Sequence, residues 1–217
     1  MLNDTTKNTN IQLSVVIVVH DEETALAENL PAFLTLSCDT PYEVIVVNDA
    51  STDNTPDILK QLKEEYPILH TTFLPKSVVN PSRQQLALYI GAKAAKSNWI
   101  VIADIHRPPT SSEWIDGLAR ETASGISEVV MVYTDRKNPE IVEHRAFTEL
   151  EDAIPLLQKT ERRSGKGHQG RLLKMKRGIY DAVAIHRDCI YEAIRQYDHR
   201  IKGSKLMGLR MLVFWKS

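Results

Sequence analysis

The stretch "YEVIVVNDASTDNT" (Tyr42 to Thr55) puts a strand, an acidic tip and a helix start in one order. Val44, Ile45, Val46 and Val47 are apolar and β-branched at successive positions. A strand without alternation is covered on both faces, as the strands of a parallel sheet are. Asp49 stands at its tip and Asp53 a few residues on. Pro56 then takes the first helical position after Thr55, where its missing N–H costs nothing, and Asp57 faces the positive end of the helix dipole. This is the first half of a βαβ unit and predicts an α/β fold.

The same order recurs around it. Residues 12–19 (QLSVVIVV), 69–74 (LHTTFL), 99–104 (WIVIAD) and 128–133 (EVVMVY) read as further strands. Between them, 24–36 reads as a helix with Leu26, Leu30, Phe33 and Leu34 on one face and a bend at Pro31. Residues 82–96 are Ala- and Leu-rich, and 111–123 follows Thr110-x-x-Glu113, a capping box. Strand, helix, strand at roughly 30-residue intervals predicts right-handed crossovers and a mostly parallel, Rossmann-like sheet flanked by helices. Beyond residue 135 the alternation fails. Residues 141–160 read as a helix, 180–188 as a strand and 189–197 as a helix. Residues 161–178 are Gly-rich and basic, with seven Lys/Arg against one Glu. With no internal repeat and no low-complexity linker, the expected organisation is a disordered polar N-terminus (1–11) and a single domain (12–217).

Composition narrows the function classes. A chain of 217 residues with 42% hydrophobic and 25% charged residues can bury a substantial core. The net charge of −1, and a basic stretch without interleaved aromatics, speak against nucleic acid as a partner. Cys38 and Cys189 lie in no metal-ligand spacing and fit a reducing compartment. "MLNDTTKNTN" lacks the basic start and apolar core of a signal peptide, and "LSVVIVV" is too short to cross a bilayer. The apolar "LMGLRMLVFWKS" near the end is broken by Arg210. The expected location is cytoplasmic, with a peripheral membrane contact or a protein partner left open.

In open α/β sheets, ligands bind beyond the carboxyl ends of the strands. Here the first strand ends in "HDEE" (20–23), the second in Asp49 and the fourth in Asp104. One acid before a helix serves the helix. Acids at three neighbouring tips repel one another unless a cation or N–H donors offset them, as a metal, a ribose or a base would. "WIVIADIHRPP" (99–109) adds an imidazole, His106, two residues after Asp104. Trp99 and Trp114 bracket that turn and read as core packing. "GKGHQG" (165–170) matches G-x-G-x-x-G by letters but follows no strand, so it reads as a basic loop suited to a diphosphate or as a solvated loop. There is no H-x-x-x-H zinc pattern and no G-x-S-x-G elbow.

Taken together, "SVVIVVHDEETALAENLPAFL", "YEVIVVNDASTDNT" and "SRQQLALYIGAKAAKSNWIVIADIHRPPTSSEWI" resemble the family-2 glycosyltransferases, and "GIYDAVAIHRDCIY" resembles a later stretch of that family more weakly. The resemblance implies a GT-A fold and metal-assisted, inverting transfer of a sugar. The donor would be a nucleotide-diphosphate sugar, expected to be UDP-linked, and the acceptor a glycan or lipid-linked molecule, as in polysaccharide biosynthesis. By motif position, Glu22 and Asp49 would contact uracil and ribose, and Arg83 the base or phosphates. Asp104 would be the first acid of the metal motif.

Two departures matter. His106 stands where the second Asp of D-x-D is usual, a change shared with the polypeptide N-acetylgalactosaminyltransferases, whose Asp-x-His binds manganese. Imidazole suits Mn²⁺ better than oxygen-preferring Mg²⁺, so Asp104 and His106 are the expected Mn²⁺ ligands. Downstream, inverting members place a carboxylate that takes the acceptor's proton. Here Gly203-Ser204-Lys205 occupy that region, and Asp198 is the nearest surviving carboxylate, with Asp188 or a partner chain as other sources of a base. The sequence therefore leaves two readings, an active transferase and a catalytically degenerate relative that binds nucleotide sugar or serves as a partner subunit. A nucleotidyltransferase would need a Gly-rich basic loop after the first strand, and "HDEE" is its opposite in charge.

Overall fold

The computed structural model describes residues 11–74, 83–135, 137–150, 152–153 and 180–191. In chain order the elements are β1 (Leu13–Val19), α1 (Glu23–Leu34), β2 (Tyr42–Asn48), α2 (Thr55–Glu65), β3 (Leu69–Phe73), α3 (Arg83–Ala94), β4 (Trp99–Ala103), α4 (Glu113–Ala123), β5 (Val129–Thr134), β6 (Val142–Phe147) and β7 (Ala182–His186). The strands form one seven-stranded sheet in the order β3-β2-β1-β4-β7-β5-β6.

The sheet has two halves. β3, β2, β1 and β4 pair in parallel, as their unbroken apolar runs predict. β7 enters antiparallel between β4 and β5, and β6 closes the far edge antiparallel to β5. The sheet is thus mixed, although β5 still points the same way as β1 to β4. Alternate residues of each strand feed opposite layers. Val15, Ile17, Val44, Val46 and Val101 pack with Leu26, Leu30 and Phe33 of α1, Leu59 of α2 and Trp114 and Leu118 of α4. Val16, Ile45, Val47 and Ile100 pack on the other side with Ala87, Leu88 and Ala92 of α3. Trp114 is fully buried and meets Phe33 edge to face at 6.0 Å, so its role is core packing.

α3 comes unusually close to the sheet. A Cβ placed on Gly91 would lie 2.5 Å from Cγ1 of Val16 and 3.1 Å from Cγ2 of Val47. The glycine allows this approach, which sets the height of α3 over β1 and β2.

Two expectations are corrected. Residues 141–160 do not form one helix, because 142–147 are β6 and helix is seen only at 150 and 152–153. The stretch carries a period of two: partly buried Val142 and His144 alternate with exposed Glu143 and Arg145. Its pairing with β5 makes it the return arm of a hairpin, closed by the Asp135 N–H donating to Ile141 O at 3.0 Å. The Thr110-x-x-Glu113 capping box also does not form. Helix α4 begins at Glu113, its cap residue Ser112 makes no side-chain cap bond, and the Thr110 hydroxyl donates instead to Pro139 O at 2.6 Å, in the β5–β6 connection. The helix expected over 189–197 is described at 187–191. The basic stretch 161–178 and Asp198 lie outside the described residues. Among the described residues no helix is long and apolar enough to cross a membrane.

Candidate functional site

The β1–α1 and β2–α2 loops leave the sheet side by side, because β1 and β2 pair in register through Val19 and Asn48. Each loop passes through the left-handed region at one residue, Asp21 (φ 52°) and Ala50 (φ 55°). Asp tolerates that conformation, while for Ala it is uncommon. The surroundings enforce it. The Asp21 N–H donates to Ser51 Oγ (3.0 Å), the Glu22 N–H to Thr55 Oγ1 (3.2 Å) and the Glu23 N–H to Asp53 Oδ2 (3.0 Å). In return the Thr52 N–H donates to Asp21 Oδ1 (2.6 Å) and the Asn54 N–H to Glu23 Oε2 (2.9 Å). Each loop's exposed amides are satisfied by the other's side chains.

These bonds act on the carboxyl groups. The Thr52 N–H, with smaller help from the Asp53 N–H, His20 and the Thr52 hydroxyl, holds the Asp21 carboxyl below its ordinary range against a partial desolvation. Burial would raise Asp53, but the Thr55 hydroxyl and the N–H groups of Thr55 and Glu23 outweigh it and hold Asp53 low. Asp21 and Asp53 therefore keep their negative charge more readily than a free aspartate as pH falls.

Asp49 and Arg83, expected at the nucleotide, are brought together. Asp49 is buried at the tip of β2, and Arg83, the first residue of α3, donates Nη2 to its Oδ1. The charge of a buried carboxylate is thereby paired, and its guanidinium partner sits at the mouth of the same strand tip.

Asp104 follows β4 directly. Its Oδ1 accepts the His106 N–H (3.0 Å), and its carbonyl accepts the Arg107 N–H (2.9 Å), which closes the turn 104–107. The His106 Nε2 lies 3.0 and 3.1 Å from the two carboxylate oxygens of Glu22. The Asp104-x-His106 turn and the first loop thus touch. An open cleft of about 690 Å³ lies beside this contact, lined by Asp21, Glu22, Glu28, Asn29, Asp53 and His106 among others. Asp49, Arg83 and Asp104 are not part of its lining.

The donor set fits a divalent cation of the Mn²⁺ type, with one carboxylate and one imidazole on a single tight turn. Among the described residues no group of three or more His, Cys, Asp or Glu is placed to hold a metal ion. Two protein ligands suit an ion that completes its shell with phosphate oxygens and water. Ligation through His106 Nε2 requires its contact with Glu22 to open.

One further pair of residues meets beside this turn. Asp181, buried just before β7, accepts the Thr134 N–H at Oδ2 (2.7 Å) and faces Arg107 Nη1 at 3.4 Å through Oδ1. Burial pushes its carboxyl up, and the bonds from Thr134 and Arg107 only partly offset that. The strand itself was legible, but its direction was not. Because β7 runs antiparallel, its beginning lies at the edge of the sheet where β4 ends, so an acid before the strand sits among the acids after the others.

Comparison with known proteins bears on the family and the fold. Residues 14–183 match the family described as Glycosyl transferase family 2. No curated protein matches the sequence. Among solved structures, residues 1–349 of S. aureus TarS superpose with a TM-score of 0.53 at 16% identity, over 93% of this chain and 55% of that one. The mannosyltransferase PcManGT from Pyrobaculum calidifontis, solved with GDP-Man and Mn²⁺, gives 0.52 at 19% identity, over 83% and 46%. Glucosyl-3-phosphoglycerate synthase from Mycobacterium tuberculosis, solved with Mn²⁺, UDP and phosphoglyceric acid, gives 0.50 at 18% identity, over 82% and 56%. The chain spans about half the length of these structures. At such identities the likeness is one of fold, the GT-A arrangement of a mixed sheet between helices.

Proposed function

This chain belongs to glycosyl transferase family 2, and on that premise we propose that it binds a nucleotide-diphosphate sugar, UDP-linked, together with Mn²⁺, and transfers the sugar with inversion to a glycan or lipid-linked acceptor. The observation that carries the reading is the meeting of Asp49 with Arg83, and of Glu22 with Asp104-x-His106, at the carboxyl ends of adjacent strands. Asp49 would accept from the base or ribose, and Arg83 would turn its guanidinium toward the base or phosphates. Asp104 and His106 would hold the cation. When bound, that cation neutralises charge on the leaving diphosphate. The base that takes the acceptor's proton is proposed to be Asp198.

The test is a thermal-shift panel with UDP and GDP, each with and without Mn²⁺. Ligand at about 100 times its Kd adds about 2.7 kcal/mol, which raises the melting temperature of a chain of this size by roughly 5–10 °C. A shift that needs both UDP and Mn²⁺ supports the reading. No shift with any pair overturns it.

One observation favours a second reading. Gly203-Ser204-Lys205 stand where the family resemblance leads us to expect acids, and a protonated lysine cannot serve as a base. A degenerate transferase would show the same thermal shift but release no UDP from UDP-sugar with any acceptor, whereas an active one releases it in turnover.

A further inference from the structure

We propose that Arg107 and Asp181 are positioning residues that hold the Asp104–His106 turn in the geometry that takes the cation. The proposal rests on the donor-site reading above.

The turn needs support. It projects from the last residue of β4 and is closed by two bonds to one residue, from the Arg107 N–H to Asp104 O and from the His106 N–H to Asp104 Oδ1. His106 has an exposed side chain, and its contact with Glu22 must open for ligation. Ile105 is buried and anchors the apolar side. On the polar side the anchor is Arg107, whose side chain is only 15% exposed and faces the 9% exposed side chain of Asp181.

Asp181 is itself fixed from two directions. Its N–H donates to Val132 O (2.9 Å), and its Oδ2 accepts from the N–H of Thr134, the last residue of β5. The pairing of Ala103 with Ala182 then sets Asp181 beside Asp104 across the β4–β7 ladder. A continuous line of contacts runs from β5 through Asp181 and Arg107 into the metal turn. Removing one member of a buried ion pair leaves the other charge uncompensated, so the turn would reorganise. Partners bonded directly to metal ligands typically contribute about 10- to 100-fold to metal affinity, and a pair acting through the turn backbone is expected at the lower end.

The experiment counts free Mn²⁺ by its electron paramagnetic resonance signal during titration of the full chain in the presence of UDP. UDP binding without metal is measured separately by calorimetry. Asp181→Asn is nearly isosteric and can still accept from Thr134; Arg107→Ala removes the partner, and Arg107→Lys keeps its charge. Asp104→Ala is the reference for complete loss. The expected result is Mn²⁺ affinity about tenfold weaker in Asp181→Asn and Arg107→Ala, intermediate in Arg107→Lys, and metal-free UDP binding unchanged in all three. Wild-type Mn²⁺ affinity in both disrupting variants overturns the inference and leaves the donor site standing. So does an equal loss of metal-free UDP binding, which would mark the pair as part of the general fold. If the unaltered chain takes up no Mn²⁺ with UDP, the donor reading itself fails, and this inference with it.

Discussion

Gly91→Ala tests how closely α3 sits on the sheet. The new Cβ would lie 2.5 Å from Val16 Cγ1, well inside van der Waals contact, and Val16 and Val47 are both fully buried. Two effects oppose each other. Alanine in a helix interior gains about 1 kcal/mol over glycine. Forcing a methyl into a packed core costs about 1–3 kcal/mol. The net expectation is a loss of roughly 0–2 kcal/mol, because packing exceeds propensity when neither neighbour can rotate away. Urea unfolding at 25 °C, with a slope of roughly 2 kcal/mol/M, would then show the midpoint falling by up to about 1 M. Val16→Ala makes room for the added methyl, so the double variant should be more stable than the sum of its parts by about 0.5–3 kcal/mol. Arg83 begins the same helix, so lifting α3 should also weaken UDP binding. A Gly91→Ala protein more stable than the parent, or strict additivity with Val16→Ala, would refute the close approach.

The remaining predictions concern charge and ligands. Asp104→Ala should abolish the Mn²⁺-dependent part of UDP binding in the thermal-shift panel, while unchanged affinity would remove Asp104 from the metal site. His106→Asp should raise the response to Mg²⁺ relative to Mn²⁺, because Mg²⁺ prefers oxygen; an unaltered preference would show that His106 is no ligand. Burial on β6 holds the His144 imidazole below its ordinary range, only partly offset by Trp114 O and Glu113. Its neutral form is therefore favoured in the fold, and the unfolded chain binds the extra proton. That contribution is complete above the unfolded value and is lost as pH falls through about 6.5 toward the folded value. The urea midpoint should drop between pH 7.5 and 5.5, and His144→Gln should flatten that part of the profile.

The parallel half of the molecule was readable in the chain because its signals are local. Val44 to Val47 form an unbroken run, Asp49 ends it, and Pro56 and Asp57 open the next helix. β6 reads as helix in the sequence because an edge strand with charged residues at 143 and 145 looks equally like one face of a helix, and only pairing with β5 decides between them. The place of β7 between β4 and β5 depends on partners some 80 and 50 residues away, which no local pattern encodes. Likewise Glu22, Asp49, Arg83, Asp104 and His106 could be named singly from motif positions. The contacts of Arg83 with Asp49 and of His106 with Glu22, and the part of Asp181, emerge only from the assembled sheet.

The sheet order also sets a timetable for synthesis. Among the described strands β7 is made last, yet it fills the gap between β4 and β5. Until it emerges, the β4 edge of the parallel ribbon β3-β2-β1-β4 and the β5 edge of the β5–β6 hairpin both lack their strand partner. The 34 residues between Phe147 and Ala182 take roughly 2–7 s to translate at about 5–20 residues per second. During that interval both halves expose unpaired strand edges to the same missing partner. A nascent chain stalled there would still lack the strand that joins its two halves, a state that invites chaperones or pairing with a neighbouring chain.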